Sequence, residues 1–290
     1  VQVIREIDPA ARIAPDATIG RYCVIGPHVT IGPGTALRGR VSVTGHTTIG
    51  SHNVIDEGTV LGATPQDLKY AGTPTLLVIG HRNHIGRMVT AHIGTEAGGC
   101  VTGIGNDNRL HDGCHIAHDC YVEDHTTIGR GCQLAGHIKV EHGAVLAPLV
   151  GVHHFVTIGR YSRVGDRTPV RRDVPPYTDF HSPDSDWSAA PAVRGVHDDG
   201  IAAAKLAPDE QRELRRALAE LFSDEAALQT KIEQLVNMGA EGEVAKLCGF
   251  IQRSLGGVYG RHRERYRGMV PPEAEPYLPP ELKTIRRTLP

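Results

Sequence analysis

Aliphatic residues recur every six positions along more than half of this chain. Units open at Ile13, Ile19, Ile25, Ile31, Leu37, Val43, Ile49, Ile55 and Leu61. The series resumes at Ile79 and Ile85. It then runs through Ile104, Leu110, Ile116, Val122, Ile128, Leu134, Val140, Leu146, Val152, Ile158 and Val164. Neither the 3.6-residue period of a helix nor the two-residue alternation of a strand produces this pattern. It predicts one short strand and one turn per unit, with three units to a triangular coil. The aliphatic side chains then stack inside the prism. Gly follows the opener in Ile19-Gly20, Ile25-Gly26, Ile31-Gly32 and Ile49-Gly50, where it permits backbone geometry that other residues resist.

Two segments break the period, 63–77 and the Gly-rich 94–102. Extra residues in a solenoid bulge out as loops, often on the binding face. The repeat is expected to fade near Val164-Gly165, and Asp173-Val174-Pro175-Pro176-Tyr177 to leave the prism, since a Pro pair cannot continue a ladder. Helical spacing takes over at Pro208, with Asp209 and Glu210 suited to a helix start. Leu214, Leu218, Leu221 and Phe222 share one face; Leu228, Ile232, Leu235 and Val236 share a second; Val244, Leu247, Ile251 and Leu255 share a third. The expected organisation is a β-helix over 1–177, a linker over 178–207 and a helical domain over 208–290 with an irregular basic, then Pro-rich, tail.

Composition narrows the function. The net charge is -2, which gives no global basic field for nucleic acid. No apolar run approaches the ~18 residues of a membrane span, and no secretory signal is visible. The six Cys form no C-x-x-C pair. Cys23, Cys114, Cys120 and Cys132 share one phase of the repeat, four places after an opener, and read as small buried side chains. That usage suits a reducing cytoplasm.

The chemistry centres on His115-Ile116-Ala117-His118-Asp119. A neutral imidazole accepts a proton near pH 7, and an adjacent carboxylate orients it. His118 is the candidate base and Asp119 its partner. With seventeen His in the chain, His content alone carries little; the scaffold and the neighbouring motifs carry the case.

Three motifs together resemble the UDP-N-acetylglucosamine O-acyltransferases that begin lipid A synthesis: Gln66-Asp67-Leu68-Lys69-Tyr70-Ala71-Gly72, His115 to Cys120, and Asp173 to Tyr177. The likeness covers about residues 8 to 177. It implies a left-handed parallel β-helix, a homotrimer with sites between prisms, and acyl carrier protein as donor. That hand runs against the usual right-handed crossover and comes from the resemblance alone. By the same match His118 is the general base, Gly136 supplies a backbone N–H to the oxyanion, and Asp67 and Lys69 hold the sugar and a phosphate. Gln66, His92, His115, His137 and His153 match pocket positions, and Asp166 the far end of the acyl groove. No cofactor or metal is implied. Arg253, Arg261, Arg263, Arg265 and Arg267 are expected to meet the acidic carrier protein.

The sequence also departs from that pattern. Where the family has a basic cluster after the prism, this chain reads Val196 to Ala204 with Ala in place of the basic residues. Pro148 removes a backbone N–H on the acyl side. A carboxylate at position 166 opposes a methyl terminus, so a shorter acyl group is expected. Three other readings compete. One is a short-chain acyl or acetyl transferase on another amino-sugar nucleotide. Another is a hexapeptide-fold metal enzyme of carbonic anhydrase type, for which His137 and His142 have the spacing but position 101 is Val. The last is a non-catalytic binding scaffold.

Overall fold

The computed structural model describes residues 5–183, 189–223 and 227–277. The six-residue units form a left-handed parallel β-helix. Most strands are two residues long, and each pairs in parallel with the strand one coil away. Three sheets result, here called the first, second and third faces. His115–Ile116 and Gln133–Leu134 belong to the first, Tyr121–Val122 and Lys139–Val140 to the second, Arg109–Leu110 and Thr127–Ile128 to the third. The register is uniform: Ile116 faces Leu134, and Val122 faces Val140. Every opener from Ile19 to Val164 is buried, and together they form one continuous core. Apolar burial at roughly 25 cal/mol per Å² is the main driving force.

The corners carry the rest of the sequence code. Cys23, Cys114, Cys120 and Cys132 are buried, as their phase predicts, and are unpaired. Asn53, Asn83 and Asn108 form an internal ladder at the corner between the second and third faces. The Asn53 carboxamide oxygen accepts from Asn83, and Asn83 from the Asn108 N–H. These side chains satisfy turn N–H groups that the ladder leaves over. The two interruptions are loops on one corner, between the first and second faces. One runs from Val60–Ala63 to Leu76–Ile79, the other from Thr90–His92 to Val101–Ile104.

The prism extends beyond Val164. Pro169–Val170 pairs with Gly151–Val152, and Val174 bridges Ile158. The Pro175-Pro176 pair sits in a corner, where no ladder N–H is required, so pairing resumes after it. Thr178–His181 pairs in parallel with the strand Arg163–Val164, then antiparallel with Ala192–Val196. The segment expected as a linker therefore carries two strands and the short helix α1, Asp198–Ala203. Its acidic stretch 184–188 lies outside the described residues.

Three helices follow: α2, Pro208–Leu221; α3, Leu228–Asn237; α4, Gly242–Leu255. Glu210 accepts from the Ala207 N–H at the start of α2, at 3.0 Å. Leu214, Leu218, Leu221, Ile232, Leu247 and Ile251 form their common core. Val236 and Leu255 stay about half exposed, at the margins of their faces. The domain docks on the prism end through Tyr177, whose hydroxyl donates to Glu243 at 2.7 Å while its ring stacks on Tyr161. The tail returns to the second face in two 3-10 turns, His262–Tyr266 and Pro272–Tyr277. Ala274 and Tyr277 pack there on Val101 and Tyr121. The irregular tail of the sequence reading is thus seated on the prism up to Tyr277; the Pro-rich end lies outside the described residues. Among the described residues no helix is long and apolar enough to cross a membrane.

Candidate active site

Eighteen residues make one full coil where no loop intervenes, so side chains eighteen apart stack along a corner. On the corner between the first and second faces this brings Asp119, His137 and Phe155 into one column. All three have left-handed backbone, at φ 60, 65 and 63. His118, Gly136 and His154 form the adjacent column. Gly136 is there for a local reason: a Cβ on it would lie 2.5 Å from His118 Cε1 and 2.7 Å from Nε2. Only a glycine leaves room for the imidazole. Among the described residues no backbone carbonyl takes the Gly136 N–H.

His118 and Asp119 are the centre of the corner. The carboxylate Oδ2 of Asp119 lies 2.8 Å from His118 Nδ1, and both residues are buried, at 4% and 0% exposure. That contact fixes the tautomer with the proton on Nδ1 and leaves Nε2 as the acceptor. Asp119 is itself held. The Thr95 N–H donates to Oδ1 at 2.9 Å, the Thr95 hydroxyl to Oδ2 at 2.6 Å, and the Asp119 N–H to Thr102 Oγ1 at 2.9 Å. Gly98 lies so close that a Cβ on it would fall inside the carboxylate. Thr95, Gly98 and Thr102 all come from the second interruption. Their Gly-rich stretch reads as a surface loop, and nothing in its spacing points to a residue 17 to 24 positions away.

The remaining histidines sort by environment. His137 stacks on Phe155 at 4.4 Å between ring centres and meets His118 edge-on at 5.2 Å. Burial pushes its pKa down to about 4, against the pull of Asp119. His92 is buried, and burial, with His115 and His118 nearby, lowers its pKa to about 4. His115 binds Thr90 Oγ1 at 2.7 Å and lies edge-on to His92 at 4.9 Å; burial lowers its pKa also. His153 is exposed at the outer end of the same corner. The structure thus gathers His92, His115, His118, Gly136 and His137 on one strip.

Gln66, Asp67 and Lys69 stand apart on the first loop, which springs from Ala63 beside His92. Glu96 pins this loop by accepting from the Ala71 and Thr73 N–H groups. Asp67 spends Oδ1 on the Lys69 N–H at 2.9 Å, and Leu68 at the tip is fully exposed. Asp166 is exposed on a different corner, between the third and first faces. Arg163, three residues before it, pairs with Asp179 at 3.1 Å. Two of the five tail arginines expected on the surface are buried instead. Arg261 pairs with Glu264 at 2.6 Å and Arg263 with Glu273 at 2.9 Å. A cluster of arginines in sequence reads as a solvated face, but pairing with Glu264 and Glu273 accompanies the burial of these two.

Metal chemistry finds little support. His118, Asp119 and His137 offer donor atoms within 4.8 Å of one another. Both Asp119 oxygens already accept hydrogen bonds, and the Arg263 cation is buried close by. We read the set as an oriented base rather than as ligands. His142 sits on another corner, against His125 and Tyr161. A cavity of about 810 Å³ between prism end and helices contains none of the site residues.

Comparison with known proteins places these features. The bacterial transferase hexapeptide (six repeats) pattern matches residues 6–33 and 102–136. The acyl-[acyl-carrier-protein]–UDP-N-acetylglucosamine O-acyltransferase of Paracidovorax citrulli is 43% identical over 203 residues, which is 68% of this chain and 75% of that one. Its namesake in Xylella fastidiosa is 36% identical over 193 residues, 66% of this chain and 72% of the relative. The structure of the Francisella novicida UDP-N-acetylglucosamine acyltransferase superposes with a TM-score of 0.80 at 28% identity, covering 94% of this chain and 95% of that one. That of Moraxella catarrhalis gives 0.77 at 32% identity, over 84% and 93%. This chain belongs to the acyl-[acyl-carrier-protein]–UDP-N-acetylglucosamine O-acyltransferase family.

Proposed function

We propose that this chain moves an acyl group, a 3-hydroxyacyl group in our reading, from acyl carrier protein to a hydroxyl of UDP-N-acetylglucosamine. This is the step that the sequence resemblance sets at the start of lipid A synthesis. The observation that carries the proposal is the buried His118–Asp119 pair with Gly136 stacked on it. His118 Nε2 takes the hydroxyl proton as the oxygen attacks the thioester carbonyl. Asp119 stabilises the imidazolium that forms. The Gly136 N–H donates to the oxyanion of the tetrahedral intermediate. Collapse expels the carrier thiolate, and His118 returns its proton to that sulfur.

Substrate contacts follow from the same strip. Asp67 and Lys69 hold the sugar and a phosphate, with Gln66, His92, His115, His137 and His153 lining the path. These groups do not enclose a site in one chain: the loop projects outward and Asp166 stands on another corner. A second prism laid against the strip brings both into reach, so the working unit in this reading is a homotrimer. Of the C-terminal arginines, Arg253 on α4 and Arg265 and Arg267 in the tail remain exposed to meet the carrier protein. The test is mass spectrometry of products from UDP-N-acetylglucosamine and acyl carrier proteins of varied chain length, with metal analysis of the same protein. Release of an O-acylated sugar nucleotide supports the proposal; acetyl transfer to another sugar, or activity tracking a bound metal, overturns it.

A further inference from the structure

We infer that Arg263 is a positioning residue for the His118–Asp119 pair, acting from the tail through the His137 corner. The inference rests on the reading of His118 as base. Arg263 sits in the turn His262–Tyr266 and is only 1% exposed. Its Nε donates to the backbone carbonyl of His137 at 3.0 Å. The His137 N–H in turn donates to the carbonyl of His118 at 3.1 Å. One short chain of backbone bonds thus links the tail to the base.

The surroundings argue for more than a structural plug. A buried guanidinium is costly unless paired and hydrogen-bonded, and well-packed apolar groups often fill such a place as stably. Here the cation is present and ion-paired, although its Nη1 makes no hydrogen bond. Glu273 Oε1 lies 2.9 Å from Nη1, and the Tyr121 and Tyr266 rings lie at 5.4 and 5.9 Å. Glu273 is shared with Lys139 at 3.4 Å, and Lys139 also meets Glu123 and Glu141. The Cys120 thiol also lies near the guanidinium.

What the cation faces is His137, whose Nε2 lies 3.9 Å from the same Asp119 oxygen that holds His118. A proton on His137 would compete for that oxygen and loosen the base. Burial opposes that proton first, followed by His118, Arg263 and His154, while Asp119 favours it. Arg263 therefore has two effects: it fixes the backbone under His137, and its charge helps keep that ring neutral.

Three variants test this: Arg263→Met, Arg263→Lys, and Arg263→Met combined with Glu273→Gln, which leaves no stranded carboxylate. Circular dichroism and melting report folding. In Arg263→Met and in the double variant kcat should fall roughly 10- to 100-fold, the scale of a small misplacement of a reacting group, with KM little changed. The acid limb of kcat against pH should move upward, and imidazole NMR should show His137 titrating higher than in the wild type. Arg263→Lys keeps the charge without the Nε donor, so it should lose kcat and leave the acid limb in place. If Arg263→Met does not fold, the lysine variant still decides. Wild-type kcat in the lysine variant, or wild-type kcat and acid limb in the double variant, overturns the inference. An active His118→Ala variant would instead remove the base on which the inference rests.

Discussion

At the scale of single residues the site depends on which imidazoles are neutral. Replacing His118 by Ala should lower turnover by ~10²–10⁴-fold, the usual contribution of a general base, with folding unchanged; steady-state rates near wild type would exclude the mechanism. His92 makes a separate prediction about stability. Its folded pKa of about 4 lies below the unfolded value of 6.5, because the ring is buried and lies near His115 and His118. The unfolded chain therefore binds the extra proton. This stability is present in full above about pH 6.5 and is lost as pH falls toward 4, by up to about 3 kcal/mol. Melting temperature should drop from pH 7 to 5, and His92→Phe should flatten that slope; an unchanged slope refutes the assignment. The sequence marks His118 and Asp119 plainly, since they are adjacent and lie on a regular repeat. It is silent on Thr95 and Thr102, which reach Asp119 only through the fold.

At the scale of elements the six-residue period makes nearly the whole prism readable, because each coil buries the same kind of side chain at the same phase. Irregular segments are less readable. The strands Thr178–His181 and Ala192–Val196 lack the aliphatic opener and are recognisable only by their partners. The second interruption looks like a spacer but holds the Asp119 carboxylate in place. Gly98→Ala tests this. Its Cβ would occupy the Asp119 carboxylate position, so the carboxylate must shift. Activity should fall about as far as in Asp119→Ala, while the melting point changes less than for a comparable substitution in the prism core. A Gly98→Ala enzyme with full kcat would show that Asp119 has room to move without loss.

For the whole molecule, the strip on one corner and the projecting loop 64–75 point to assembly. Sedimentation should show a trimer, and an active monomer would contradict this. Chain-length preference belongs to the same scale, because Asp166 stands on a different corner from the His118 strip and would meet it only through the proposed assembly. A donor series should favour shorter acyl groups in the wild type, and Asp166→Gly should extend the preference. Each further buried CH₂ contributes about 0.8 kcal/mol, so the change should be several-fold per added unit. Wild type favouring the longest donors, with no response in the mutant, would reject the assignment. Such relations between corners cannot be read from a period, which repeats identically whichever edges later meet.

The two ends of the prism are not alike. The late end is closed by the antiparallel strand Ala192–Val196 and by the helices behind Tyr177. Among the described residues the early end begins with the strand Glu6–Ile7, which pairs on one side only, with Val24–Ile25. An open strand row is a template for further strands, and charged side chains such as Glu6 and Arg12 are the usual defence. Association through strand edges among the described residues is thus confined to this row; two such edges meeting leave closed ends outward, so the expected product is a pair of prisms and not a fibre.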